Sequence, residues 1–326
     1  MLHRWRMLAL LVIVALAGAA TVASAKPGHG KDGGKVTAAE RLFTLQPDPA
    51  RNPEGVAFDQ QSKAFFVSIT ADGAIYRGTL GSDTVSPFIA GTTGGSAVGI
   101  KVQGGKLYVA GGSTGSITVY DLATRQVVAQ FQTGTGGFLN DLVVTGRGDV
   151  FVTDSFRPVL WHVTAEQVSA GSGTPQALDV SEIPFEPSGQ FNLNGIVSRG
   201  SHRLVVVDTN SGKLFRIDLG HDRSSIRGID EIEGATLPGG DGLLLDRGRL
   251  VVVQGNPAQL SFLKLRGGAR RATLVHTQTS DKLRGSSTVD RARGLYLVVN
   301  ADFAGSRHPF TVAGLPRRHG HGDDDQ

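Results

Sequence analysis

The sequence predicts an all-β protein, a six-bladed β-propeller whose ring is closed by an N-terminal strand. Three observations lead to this prediction. A short motif recurs six times, a second apolar segment follows each copy about ten residues later, and the body shows no helical periodicity over ten residues or more. Glycine, at 45 of 326 residues, agrees with many short strands joined by turns.

Each copy of the repeated motif is a polar or small residue that leads into an apolar strand. The copies start 44, 42, 54, 47 and 44 residues apart, which is the period of a four-stranded propeller blade with one insertion before the fourth copy. The starting residues are Glu54, Val98, Asn140, Asn194, Asp241 and Gly285. Two β-sandwiches and a seven-bladed ring are the alternatives, but one period in six copies favours six blades.

The remaining strands of each blade follow from composition. Second strands rich in Val, Leu, Phe and Tyr are predicted at 64–68, 106–110, 149–153, 203–207, 249–253 and 294–298. Third strands are predicted at 75–77, 116–120, 159–163, 214–217 and 260–263, and outer strands at 85–90, 127–132 and 272–276. The last copy lacks an outer strand, whereas residues 41–45 have strand-like composition. We expect this first segment to complete the last blade, which would remove the exposed sheet edges.

The two ends of the chain are predicted to lie outside the propeller. Residues 1–25 have the form of a signal peptide, with Arg4 and Arg6 before an apolar run and a small-residue cleavage site after it. That run is shorter than the ~20 residues needed to span a bilayer, which argues against a membrane anchor. We therefore expect a secreted, extracellular protein with no membrane contact after signal removal. Residues 26–37 are predicted as a disordered linker, 38–316 as the propeller and 317–326 as a disordered His/Asp tail.

Composition excludes several functional classes. The absence of cysteine excludes a disulfide scaffold, a thiolate zinc site and a cysteine nucleophile. The formal net charge of +4 falls to +2 once Arg4 and Arg6 are removed with the signal peptide. No basic stripe with interleaved aromatic residues is present, so no nucleic-acid partner is expected. The absence of a cofactor motif disfavours a lyase or an oxidoreductase, and a small-molecule substrate is the expected partner.

Four of the six motif-starting residues carry a side-chain oxygen. In a propeller the first strand of each blade lines the central channel, so Glu54, Asn140, Asn194 and Asp241 would converge on the axis. Buried carboxylates without partners are costly, and two carboxylates with two amides suit a divalent cation. An all-oxygen set favours Ca²⁺, with Mg²⁺ or Mn²⁺ as alternatives. The competing interpretation is structural, because Asn-Gly and Asp-Gly are also ordinary turn dipeptides.

These dipeptides resemble those of a known family. The chain is similar to the SMP-30/gluconolactonase/LRE-like family at Glu54-Gly55, Asn140-Asp141, Asn194-Gly195 and Asp241-Gly242, each of which leads an apolar strand. The resemblance implies a six-bladed, calcium-dependent propeller of phosphotriesterase type that hydrolyses sugar lactones or related esters. It also implies that Glu54, Asn194 and Asp241 are direct metal ligands, and that Asn140 is a ligand or contacts the substrate. Phe138 replaces an arginine often found in the sugar lactonases, which disfavours a gluconate-type substrate.

The predicted function is a secreted, metal-dependent hydrolase of lactones or related esters. The metal would polarise the carbonyl, and Asp241 would act as the general base. Val98 and Gly285, the apolar members of the ring, would leave room for the substrate. The alternative is a non-catalytic binding propeller with a structural metal ion. Outside the ring, Asp154 and Asp208 are predicted to cap turns after second strands, and histidines such as His162 to lie at the surface or at sheet edges.

Overall fold

The computed structural model describes residues 38–186 and 190–317. Strands account for 53% of the structure and helix for 2%, so the all-β prediction is confirmed. The predicted signal peptide (1–25), the linker (26–37) and the tail from residue 318 onward lie outside the described residues. Arg317, assigned to the tail by sequence, donates hydrogen bonds to both carboxylate oxygens of Asp246, at 2.6 and 3.1 Å.

The strands fall into four sets that recur along the chain, after an initial strand β1 (Arg41–Leu45). The inner strands are β2 (Pro53–Asp59), β6 (Ile100–Gln103), β10 (Leu139–Val144), β14 (Leu193–Ser198), β18 (Gly240–Asp246) and β22 (Ser286–Ala292). The second strands are β3 (Ala64–Ile69), β7 (Lys106–Ala110), β11 (Val150–Asp154), β15 (Arg203–Asp208), β19 (Arg249–Gly255) and β23 (Leu295–Asn300).

The third and outer strands complete the sheets. The third strands are β4 (Ile75–Thr79), β8 (Ser116–Asp121), β12 (Val159–Val163), β16 (Lys213–Leu219), β20 (Ala258–Arg266) and β24 (Thr311–Pro316). The outer strands are β5 (Thr84–Ile89), β9 (Val127–Gln132), β13 (Gln176–Asp179), β17 (Ile226–Glu231) and β21 (Arg271–Gln278). One short helix, α1 (Ala165–Ala170), lies between β12 and β13 and begins at a capping box formed by Thr164 and Gln167.

Sheet topology follows the repeat. Four sheets have four strands each, and one has eight strands in the order β2-β3-β4-β5-β1-β24-β23-β22. Within the eight-stranded sheet, β1 pairs antiparallel with β24 and makes a short parallel contact with β5. The inner strands contact one another in chain order, and the last of them, β22, also contacts the first, β2. The inner strands therefore surround a common axis.

The hydrophobic core is divided among clusters that lie between successive sheets. In β15, Val205 and Val207 belong to the cluster shared with the following sheet, whereas Leu204 and Val206 belong to the cluster shared with the preceding one. Both faces of the second strands are thus buried. This explains why these strands are continuous apolar runs instead of the alternating pattern of half-exposed strands.

Glycines let the inner strands approach one another closely. A Cβ atom on Gly195 would lie 2.3 Å from the carbonyl oxygen of Asp241, and one on Gly55 would lie 2.4 Å from that of Val98. Larger residues would push neighbouring strands apart, which explains the glycine of the repeated dipeptide. In the part of the chain that the structure describes, no helix has the length and hydrophobicity needed to cross a bilayer.

Candidate metal centre

A β-bulge occurs at the same place in five of the inner strands. In β2 the pairing with β3 runs from Pro53–Ile69 to Val56–Val67, which leaves one extra residue on the inner strand. The same irregularity recurs in β10, β14, β18 and β22. Because a bulge bends its strand and redirects side chains, it can turn the residue after the first pair toward the axis.

The register of the strands identifies the residue at this position in each inner strand. It is Glu54 in β2, Asn140 in β10, Asn194 in β14 and Asp241 in β18, as the sequence predicts. The pairing of Ile100 with Val109 places Val98 at the equivalent point before β6.

The assignment of Gly285 to this ring is wrong. In β22, Ser286 pairs with Asn300 and Val289 with Val298, so the ring residue is Ser287. Gly285 precedes the strand with a φ of 47°. The hydroxyl of Ser287 donates to the carbonyl oxygen of Glu54 at 2.7 Å and links the last inner strand to the first. Matching Val289 with Val56 in the sequence would have found this register.

Each of the four predicted ligands has one buried oxygen without a hydrogen-bond partner. Among the described residues these atoms are Oε2 of Glu54, Oδ1 of Asn140, Oδ1 of Asn194 and Oδ1 of Asp241. Unpaired buried acceptors are rare in folded proteins because each costs free energy. Four such atoms on one ring indicate that a positively charged or proton-donating group completes the site.

Neighbouring side chains fix which oxygen of each ligand is left unpaired. The hydroxyl of Ser155 donates to the carbonyl oxygen of Leu193 at 2.6 Å, so it must accept the 3.0 Å hydrogen bond from Nδ2 of Asn140. That orientation turns Oδ1 of Asn140 away from Ser155. The side chain of Asn194 lies near Asp241 and favours the ionised form of that carboxyl, which lowers its pKa in part. At Glu54, the hydroxyl of Thr288 donates to Oε1 at 3.1 Å and leaves Oε2 unpaired.

The carboxylates lie close enough to perturb one another. Burial, together with the charge of Asp141, raises the pKa of Glu54 to about 8. Burial and the charges of Glu54 and Asp141 raise the pKa of Asp241 well above its usual value. Burial and mutual repulsion thus disfavour the ionised forms of Glu54 and Asp241 at the axis. A cation at the ring would remove this repulsion.

Lys101 and Asp141 border the site, although neither was predicted to belong to it. Asp141 follows Asn140 within the bulge. Its Oδ1 forms an ion pair with Nζ of Lys101, at a distance of 2.9 Å. Its other oxygen, Oδ2, is buried and has no hydrogen-bond partner among the described residues. The sequence does contain a signal for Asp141. Every other repeat has a glycine or a small hydroxyl residue at its position, so a charged residue there is exceptional. The single charge of Lys101 does not balance the three carboxylates.

The donor set is compatible with a hard divalent cation. The described residues hold no group of three or more His, Cys, Asp or Glu side chains arranged for a metal, so a site built on this ring would include amide oxygens. Glu54, Asn140, Asn194 and Asp241 offer two carboxylates and two amides. Ca²⁺ takes six to eight oxygen ligands, from carboxylates, amide carbonyls and water. The ring fits this cation, and water or substrate would complete its coordination.

The predictions for residues outside the ring are confirmed for the two turn-capping aspartates and wrong for His162. Asp208 accepts hydrogen bonds from the backbone of Asn210 and Ser211, and Asp154 does so from Phe156 and Arg157, so their turn-capping role is confirmed. The surface assignment of His162 is wrong. Its side chain is 2% exposed and stacks on Phe151 with 4.5 Å between ring centroids.

Comparisons with known proteins show the fold. No family profile matches the chain, and no curated protein matches it by sequence. A gluconolactonase of Xanthomonas campestris is similar in structure, with a TM-score of 0.60, 18% identity and coverage of 85% of this chain and 89% of the other.

Two further solved structures are similar over comparable lengths. A luciferin-regenerating enzyme has a TM-score of 0.61 at 13% identity and covers 85% of this chain and 95% of its own. The allergen Mala s 1 of Malassezia sympodialis has a TM-score of 0.63 at 14% identity, with 83% and 96% covered. All three are β-propellers, so the resemblance inferred from the dipeptides is confirmed at the level of fold.

Proposed function

We propose that this protein is a metal-dependent hydrolase of lactones or related esters. The observation that carries the proposal is the ring of four buried, unpaired oxygens on Glu54, Asn140, Asn194 and Asp241. Fold alone does not define an activity, because propellers have many functions. The gluconolactonase among the similar structures supports the choice of substrate class.

The proposal takes the fold to be a six-bladed ring closed by β1. The eight-stranded sheet then comprises two blades, β2–β5 and β22–β24 with β1 as the outer strand. The pairing of β1 with β24 and the contact between β22 and β2 support this division. The basic start and apolar run of residues 1–18 support export, and hence an extracellular location.

Glu54, Asn140, Asn194 and Asp241 would hold the cation, with Ca²⁺ as the proposed ion and Mg²⁺ or Mn²⁺ as alternatives. When bound, a divalent cation supplies Lewis acidity that polarises the ester carbonyl. In hydrolysis, water adds to the acyl carbon, the bond from that carbon to the ring oxygen breaks, and the leaving oxygen takes up a proton. Asp241 would accept the proton of the attacking water and return it to the leaving oxygen. The product of a lactone is the open hydroxy acid.

The experiment that tests this function combines metal analysis with a substrate panel. Purified protein is expected to contain one divalent ion per chain, to hydrolyse members of a lactone and ester panel, and to lose activity on chelation. Calcium should restore the activity. Full activity in metal-free protein would overturn the mechanism. Metal-loaded protein that is inert toward the whole panel would favour the alternative, a binding propeller with a structural ion.

Ser155 is predicted to act on the metal through Asn140. In Ser155→Ala, Nδ2 of Asn140 loses the acceptor that orients its amide, so we expect calcium affinity to fall about 10- to 100-fold, as for other residues that orient metal ligands. Calcium titration calorimetry measures this change. Ser261→Ala is the matched control, because Ser261 is also buried and donates a 2.7 Å hydrogen bond, to Gln254 on the neighbouring strand. Equal affinity in both variants would contradict the role of Ser155.

A further inference from the structure

We propose that the channel mouth beside Asn140 selects lactones or esters that carry an aryl or alkyl substituent. The substituent would pack on Phe138, Phe156 and Phe191, which we call the aromatic trio. This inference rests on the proposed hydrolase function and names the substrate class of the same site.

The aromatic trio is a compact group of mutually packed rings. The centroid of Phe138 lies 5.5 Å from that of Phe156 and 5.0 Å from that of Phe191, and the last two are 5.1 Å apart. These distances are within the range of favourable aromatic pairs. Phe191 is nevertheless 44% exposed, and the other two rings are only half-buried. A packed aromatic surface thus remains open to solvent.

The backbone that carries two of these rings is held by one buried carboxylate. Oδ1 of Asp154 accepts hydrogen bonds from the backbone N–H of Phe138 at 3.0 Å and of Phe156 at 3.1 Å. Asn192, the residue after Phe191, donates to the carbonyl oxygen of Ser155 through both its backbone and its side chain. The trio is therefore preorganised, which lowers the conformational entropy lost when a ligand packs on it.

The trio borders the candidate metal centre. Ser155 donates its backbone N–H to the carbonyl oxygen of Phe138 at 2.8 Å, while its hydroxyl contacts the amide of Asn140. Phe138 lies two residues before Asn140, immediately before the start of β10. A Cβ atom on Gly112 would lie 3.0 Å from a methyl of Val98 and 3.4 Å from the ring of Phe138. The apolar ring member Val98 and the trio thus meet around one glycine.

Phe138 is the only large apolar residue among those that lie two positions before a ring residue. Two residues before each of the other ring positions, in the segments that lead into the inner strands, the chain has Asn52, Ser96, Asn192, Gly239 and Gly285. These residues are small or polar, so the large apolar surface lies on the side of β10 and β14. The carboxylates of Glu54 and Asp241 come from other inner strands. A substrate with a reactive ester and an apolar substituent matches this division, whereas a polyhydroxylated lactone would leave its hydroxyl groups against phenyl rings without hydrogen-bond partners.

The test uses one unreactive ligand and three lactones. Chroman is the cyclic ether that corresponds to the aryl lactone dihydrocoumarin, so calorimetry with calcium-loaded protein reports binding without turnover. We expect Phe138→Ala and Phe191→Ala each to weaken chroman binding roughly tenfold or more. The same variants should lower kcat/KM for dihydrocoumarin, mainly through KM, with a smaller effect on unsubstituted δ-valerolactone. Wild-type protein should prefer dihydrocoumarin to glucono-δ-lactone.

Phe303→Ala is the control, because Phe303 is 55% exposed and stacks on no ring of the trio. Phe191→Ala is expected to fold even if Phe138→Ala does not, because the side chain of Phe191 is partly exposed to solvent. Equal chroman binding in wild-type and both trio variants, or a preference for glucono-δ-lactone, would overturn the inference. Chroman binding that depends on the trio, in a protein inert toward all three lactones, would overturn the hydrolase function while supporting apolar recognition at the mouth.

Discussion

Asp241→Asn is expected to lower kcat/KM for a lactone by a factor on the order of 10²–10⁴, the usual contribution of a general base. The substitution keeps the size of the side chain and an amide oxygen that can face the cation, but it removes the basic carboxylate. The measurement is steady-state turnover at saturating calcium, together with the metal content of the variant.

The control for this change is Asp208→Asn. Asp208 is a buried aspartate at the end of β15 that caps a turn, so this variant should keep the turnover of each folded molecule. The metal content of the variant distinguishes the role of Asp241 as a metal ligand from its role as the general base. Retained calcium with lost turnover supports the base, and unchanged turnover in Asp241→Asn would remove Asp241 from that role.

Calcium is expected to raise the thermal unfolding midpoint, because a ligand that binds only the folded state stabilises it. At about 100 times its Kd, an ion at one site contributes about 2.7 kcal/mol. For a domain of this size that free energy corresponds to roughly 5 °C. Chelation should reverse the shift. Thermal unfolding scans with and without calcium measure the effect.

Glu54→Gln should abolish most of this calcium-dependent shift, because it removes half of the negative charge that the four ligands offer. Glu166→Gln, on the exposed face of α1, is the matched control and should keep the full shift. A wild-type midpoint that does not change with calcium or any other divalent ion would contradict the metal centre.

The repeat could be predicted from the sequence because each blade imposes the same packing requirements on a short segment of the chain. Glycine is required at Gly55 and Gly195 by the close approach of the next strand, so these dipeptides mark the inner strands β2 and β14. The second strands are buried on both faces and appear as continuous apolar runs. The outer strands β13 and β17 were not predicted because β13 has only four residues and both strands are largely exposed, with little of the pattern that burial imposes.

The positions of the site residues could be predicted better than their surroundings. The phase of Glu54, Asn140, Asn194 and Asp241 follows from the repeat, but the bulge that turns them inward is a property of strand pairing. The error at Gly285 arose because spacing alone cannot reveal a shift of two residues. The ion pair between Lys101 and Asp141 joins residues 40 positions apart on different inner strands, so only the folded chain brings it to notice. The aromatic trio likewise joins segments far apart in the chain.

The pairing of β1 with β24 has a consequence for how the molecule assembles. A ribosome produces residues 41–45 long before residues 311–316, yet Leu42 pairs with Ala313 and Phe43 with Val312. The strand β1 must therefore remain unpaired on that side until β24 has emerged. Loss of either terminal segment would expose the backbone of the other, and a chain cut short before residue 311 would present an open edge for aggregation.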